Sequence, residues 1–194
     1  MHCIKVQKLV DKILRRRSPS ISLIKVNDAD VLYTLARITK TLLGYKEHNV
    51  IFVLTNRPVD AVLDMLDSHG LEVLNAIRDK RLIFIDCLTK PTGGVLTKHA
   101  LYVSSPGDLS ELELTIERAI KMLVSKGKRI WLILDGLATL LLFNGAPCLL
   151  QFLVFTVSRL RALNSYGVIL FYNSELERPL EGVLRQYVDE IFEL

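Results

Sequence analysis

No two of the three cysteines stand in the CxxC spacing that holds a zinc ion or a redox disulfide, and their number is odd. Cys3, Cys87 and Cys148 thus argue against a disulfide framework and for a reduced, cytoplasmic setting. The four histidines (His2, His48, His69 and His99) lack metal-ligand spacing and read as solvent-side or loop residues. The most apolar stretch, residues 137–157, is interrupted by Asn144-Gly145 and Pro147. It falls short of the unbroken run of ~20 residues that a membrane-spanning helix needs. Lys5, Lys8, Asp11 and Lys12 break up any apolar signal region, so a secretory leader is not expected. Charge of one sign is also scarce: 25 basic residues against 21 acidic ones permit an acidic partner without arguing for one.

What is present is apolar and periodic. Half of the 194 residues are hydrophobic and about a quarter charged, which places the chain among densely cored globular domains. Its focus is Arg129–Asp135: five consecutive apolar residues run into a carboxylate, and Gly136 follows. Such a run reads as a strand buried on both faces, and open α/β sheets bind ligands at the carboxyl ends of such strands.

Residues 3–17 read as an amphipathic helix ending in Arg15-Arg16-Arg17, and Ser18-Pro19-Ser20 as a turn. Strands are expected at Ile21–Val26, Val50–Leu54, Leu82–Asp86, Ala100–Val103 (a short edge strand), Val168–Phe171 and Asp189–Leu194, besides the focal one. Helices are expected from Val31 to Gly44, from Pro58 to near Gly70, within Leu71–Lys80, from a capping-box start at Asp108 and Glu111 to Gly127, from Pro147 to about Ser165, and over Leu176–Tyr187. Strands alternating with helices specify a doubly wound α/β fold, with a mainly parallel central sheet and helices on both faces. No linker divides the chain, so residues 1–194 read as one domain, with residues 1–20 as its N-terminal helix and turn.

In the phosphate-binding version of this layout, the first strand leads into a glycine-rich loop, with a lysine and a hydroxyl at the helix start. The connection here is Val26-Asn27-Asp28-Ala29-Asp30-Val31. It has no glycine to curl around an anion and no lysine, and Asp28 and Asp30 would repel a triphosphate.

The order of parts resembles the RecA-like superfamily, and within it the KaiC-like branch common in archaea. The resemblance runs from about Ile21 to the C-terminus. It rests on Val50–Pro58, His69-Gly70-Leu71, Leu82–Asp86, Pro106-Gly107-Asp108-Leu109, the Walker-B-like Ile130–Asp135, and Val188–Leu194. It implies the fold and a nucleotide crevice beside Asp135. The family's phosphate loop is absent, and Thr55-Asn56-Arg57 stands where its catalytic glutamate is expected. The resemblance therefore implies a domain with a degenerate phosphate loop, a pseudo-ATPase with no catalytic residue.

Asp135 reads as the vestige of a metal ligand rather than a plain polar cap on a strand. Asp86 and Thr55 end neighbouring strands and complete a vestigial cofactor site, in which Asp86 would share a cation with Asp135. Gly93-Gly94, between Lys90 and Lys98, offers amides that could grip an anion. Leu149, Phe152, Leu153 and Leu160 make a core-facing stripe. Leu150, Val154 and Val157 make a second apolar face, expected either to lie under the 137–145 segment or, as the RecA-like resemblance favours, to meet another subunit. The expected function is an oligomeric or partner-binding scaffold needing no cofactor, assembling with itself or with a related RecA-like subunit. The alternatives are an ATPase using ATP and magnesium at Asp135 with a nonstandard phosphate site, and a nucleic-acid-binding subunit using Lys5, Lys8, Lys12 and Arg15–Arg17.

Overall fold

A computed structural model describes residues 2–14, 18–27, 31–124, 128–172 and 178–194. Arg15, Arg16, Arg17, Asp28 and Asp30 lie outside the described residues. The helices are α1 (His2–Leu14), α2 (Val31–Gly44), α3 (Val59–Ser68), α4 (Leu74–Arg78), α5 (Leu109–Leu123), α6 (Ala138–Ala162) and α7 (Arg178–Leu184). The strands are β1 (Ile21–Val26), β2 (His48–Leu54), β3 (Leu82–Asp86), β4 (Ala100–Tyr102), β5 (Arg129–Asp135), β6 (Tyr166–Tyr172) and β7 (Glu190–Glu193).

All seven strands join one sheet in the order β4-β3-β2-β5-β6-β1-β7, and every pairing is parallel. β5 is thus the middle strand. Its apolar run is buried on both faces because alternate residues feed two separate cores. Trp131 and Ile133 face the side covered by α1, α2 and α3, while Ile130, Leu132 and Leu134 face α5, α6 and α7. Burying each such side chain is worth roughly 1.5–3 kcal/mol, which is why the middle of the sheet tolerates no alternation with polar residues.

The topology also locates the crevice. After β2 the chain steps outward to β3 and β4, then returns to β5 on the other side of β2 and proceeds to β6. Strand order therefore reverses between β2 and β5, and the carboxyl ends of these two strands flank the switch point where such sheets bind ligands.

Local signals account for most boundaries. α5 buries Leu112, Ile116, Ala119, Ile120 and Leu123, spaced by three and four residues along one helical stripe. Its N-cap is Asp108, whose Oδ1 accepts the Glu111 backbone N–H at 2.8 Å. Only half of the expected capping box forms, because the Glu111 carboxylate instead accepts the Ser104 N–H (2.7 Å) and hydroxyl (3.1 Å). Asp108→Ala is expected to cost about 1 kcal/mol of stability by removing this cap, measurable as a lowered urea midpoint.

Three expectations are corrected. α6 begins at Ala138 rather than Pro147, because residues 138–144 are themselves helical. The chain breaks at Gly145 (φ 72°, ψ 164°), just before Pro147, and then resumes. By length and composition α6 could cross a membrane. The break, with Leu140, Leu149, Phe152, Leu153 and Leu160 buried against the sheet, leaves no clear span. Val157 is not surface-facing: it is 1% exposed and part of the core, whereas Leu150 and Val154 are half-buried. Finally, His48 is not a loop residue. It opens β2 in register with Arg129, and its ring is packed between Tyr45 and Trp131 (centroids 5.1 and 5.6 Å). Burial lowers its pKa.

Candidate functional site at the sheet switch point

The carboxyl ends of β2 and β5 are tied together by side chains that follow directly from the sequence. Thr55, the residue after β2, donates its hydroxyl to the carbonyl oxygens of Asp135 (2.6 Å) and Gly136 (3.1 Å). Asn56 donates its amide N–H to the same Asp135 carbonyl (3.0 Å) and accepts the Thr139 hydroxyl (2.7 Å), which fixes the start of α6. Buried carbonyls need such partners once their strand ends.

The Asp135 side chain is fully buried. Its Oδ1 accepts a short hydrogen bond from the Tyr172 hydroxyl, and its Oδ2 lies 3.5 Å from Arg57 Nη1. Burial raises the Asp135 pKa above the ordinary carboxylate value, while the Tyr172 hydrogen bond and the Arg57 charge oppose that rise. Burial, reinforced by the Asp135 charge, also raises the Tyr172 phenol, which therefore remains a donor near neutral pH. Beneath this pair sits Gly136, with φ +80°. A Cβ there would fall 2.7 Å from Tyr172 Cδ2 and also meet the Asn56 amide. Only glycine combines this backbone conformation with the close approach of the ring.

Asp86 does different work. Its Oδ1 accepts the Leu88 and Thr89 N–H groups (both 2.8 Å), and its Oδ2 accepts the Val59 N–H (2.7 Å) and the Thr89 hydroxyl (2.6 Å). Val59 opens α3, whose N-cap residue Pro58 has no capping side chain. Asp86 thus supplies the cap from the neighbouring strand. Leu54 pairs with Asp86 on one side and Asp135 on the other, so the two carboxylates stand two strands apart, a Cα separation of about 10 Å. With Leu54 between them and each engaged by its own donors, they do not converge on a shared cation, contrary to expectation. Among the described residues no three His, Cys, Asp or Glu side chains form a metal-binding group.

The other sequence candidates are placed as follows. The Gly93 and Gly94 amides are spent within their own turn, on Lys90 O (3.2 Å) and Thr89 O (2.8 Å), so they do not point at an anion. Lys90 donates to the Ser104 hydroxyl at 2.8 Å. Two functional neighbours of Asp135 escape sequence reasoning. Arg57 is visible only as the replacement for an expected glutamate. Tyr172 is signalled only by being a polar-tipped residue at the end of a buried apolar strand.

The model of DUF7504, a family of unknown function, matches residues 29–194. No curated protein matches the sequence. An uncharacterized protein of Pyrococcus horikoshii, crystallised in complex with an unknown peptide, is similar at TM-score 0.65 and 14% identity, over 96% of this chain and 82% of that one. A KaiC-like protein from P. horikoshii OT3 is similar at TM-score 0.68 and 11% identity, over 91% of this chain and 71% of its own. A third protein of the same organism is similar at TM-score 0.61 and 18% identity, over 97% and 87% of the two chains. The sheet is the RecA-like fold of the KaiC-like neighbour, and the chain belongs to DUF7504.

Proposed function

We propose, from membership of DUF7504 and a RecA-like sheet, that the chain is a non-catalytic domain acting as an oligomeric or partner-binding scaffold. The observation that carries this reading is the full burial of Asp135 with both of its oxygens engaged by protein groups. Its two carboxylate oxygens are engaged by Tyr172 and Arg57, and Gly136 is covered by the Tyr172 ring. A magnesium ion linked through this aspartate would have to displace protein donors from a fully buried carboxylate. The sequence supports the same reading from the other side of the crevice, since the connection after β1 has neither glycine nor lysine.

Partner binding draws support from two sources. A protein of the same fold was crystallised with an unknown peptide. On this chain, Leu142, Phe143 and Phe155 leave α6 with exposed apolar side chains beside half-buried Leu150 and Val154. The ATP-and-magnesium alternative would need Thr55, Asp86 and Asp135 as free ligands, and each is committed to bonds that close the fold. The reading therefore expects no nucleotide cofactor.

Sedimentation velocity with and without ATP and magnesium tests it. The expected result is one unchanged boundary. A nucleotide-driven change in assembly would contradict the proposal.

A further inference from the structure

A groove of about 710 Å³ opens between α3, the Leu71–Asn75 segment, Thr97 and His99. Its floor is apolar, made by Leu63, Leu71, Val73 and the exposed Leu74. Its rim is acidic: Asp60, Asp64 and Asp67 recur at helical spacing along one side of α3, and Glu72 faces the groove from the next segment. No lysine or arginine is among its lining residues, Lys98 standing between the lining Thr97 and His99, although the whole chain carries a net charge of +4. Among the described residues none of these four carboxylates forms an ion pair.

The groove also adjoins an open sheet edge. His99 lines it and leads directly into β4, the last strand on that side. Val103 gives its N–H to Asp86 O (3.0 Å), and the alternation along a parallel strand then turns the N–H and C=O of Ala100 and Tyr102 away from β3. No other strand covers that edge among the described residues. The approach to it is held in shape by Thr97, whose N–H donates to the Tyr102 hydroxyl at 2.8 Å.

We infer that this groove is a docking site for an extended cationic segment of a partner protein. The segment's lysines or arginines would face the α3 carboxylates and its apolar side chains the leucine floor. Its backbone would add to the free edge of β4, the arrangement by which extended peptides join sheets. Charge selects the occupant: an acidic segment would meet four unpaired carboxylates, and a neutral one would leave them without partners. The inference rests on the scaffold reading and names the partner class for it.

Fluorescence anisotropy of the full chain with a labelled peptide of alternating lysine and leucine tests it, with the glutamate counterpart as control. The lysine peptide should bind, weaken as salt rises, and lose at least about tenfold in affinity in an Asp60→Asn, Asp64→Asn, Asp67→Asn variant. These residues are exposed, so the variant should keep the parent's cooperative unfolding. Ala100→Pro, which removes an outward N–H, should weaken binding about threefold or more. Equal binding of both peptides, or unchanged affinity in the triple variant, would overturn the proposal. So would a triple variant that loses self-association without losing the peptide, because the groove would then be a contact between copies. Nucleotide binding at Asp135 would sink the scaffold reading instead, and it can be measured on the same variant because it does not depend on these three carboxylates.

Discussion

Gly136→Ala is expected to destabilise the protein by about 2–5 kcal/mol, the sum of a left-handed backbone penalty and overpacking in a closed site. The backbone part follows from φ +80°. The packing part follows from the Tyr172 ring and the Asn56 amide, which occupy the volume a methyl group would take. Neither neighbour can yield freely: Tyr172 is bonded to Asp135, and Asn56 holds both the Asp135 carbonyl and Thr139. Urea denaturation gives the loss directly. In a Tyr172→Ala background the same substitution should cost less, because the ring is gone while the backbone term and the Asn56 contact remain. Additive costs would mean that the ring is not what excludes the methyl group.

Tyr172→Phe is expected to cost about 1.5–3 kcal/mol at a pH where Asp135 is ionised in the folded protein, the usual worth of a hydrogen bond to a buried charged group. The cost should depend on pH in a direction fixed by Asp135. Burial raises the folded-state pKa of this carboxyl above its unfolded value, so the folded protein holds its proton more tightly. Asp135 therefore subtracts stability as pH rises from the unfolded carboxylate value through the folded one, and this penalty fades on acidification. The Tyr172 hydrogen bond opposes the rise, so its removal moves the folded pKa further up. The Tyr172→Phe substitution should thus be most damaging above the folded-state pKa of Asp135 and less so below it, where Asp135 is protonated with or without the tyrosine. Denaturation on both sides of that pKa measures this. In an Asp135→Asn background the cost of Tyr172→Phe should become independent of pH, because the titrating partner has been removed.

The sheet was legible because its evidence is local. β1, β3 and the end of β5 lie where apolar runs stop at polar or turn residues, and Asp108 caps α5 as its position predicts. What escaped was the part that depends on distant contacts. Nothing near Asp86 in sequence says that it caps α3, because its partner Val59 lies 27 residues away on another element. The sequence reading groups Leu150, Val154 and Val157 on one outer face, yet Val157 stands four residues after Leu153 and three before Leu160, so on the helix after Pro147 it shares their buried stripe. Likewise, composition located Asp135 at the end of the middle strand but could not show that Tyr172, 37 residues later, lies over it. The crevice was readable as a position, and its closure only as geometry.

That closure is the central claim, and calorimetric titration with ATP and magnesium tests it most directly. A crevice whose buried carboxylate is engaged by Tyr172 and Arg57, in a chain whose connection after β1 has neither glycine nor lysine, should give no heat of binding. Saturable micromolar binding by the parent protein, lost on Asp135→Asn, would contradict the account.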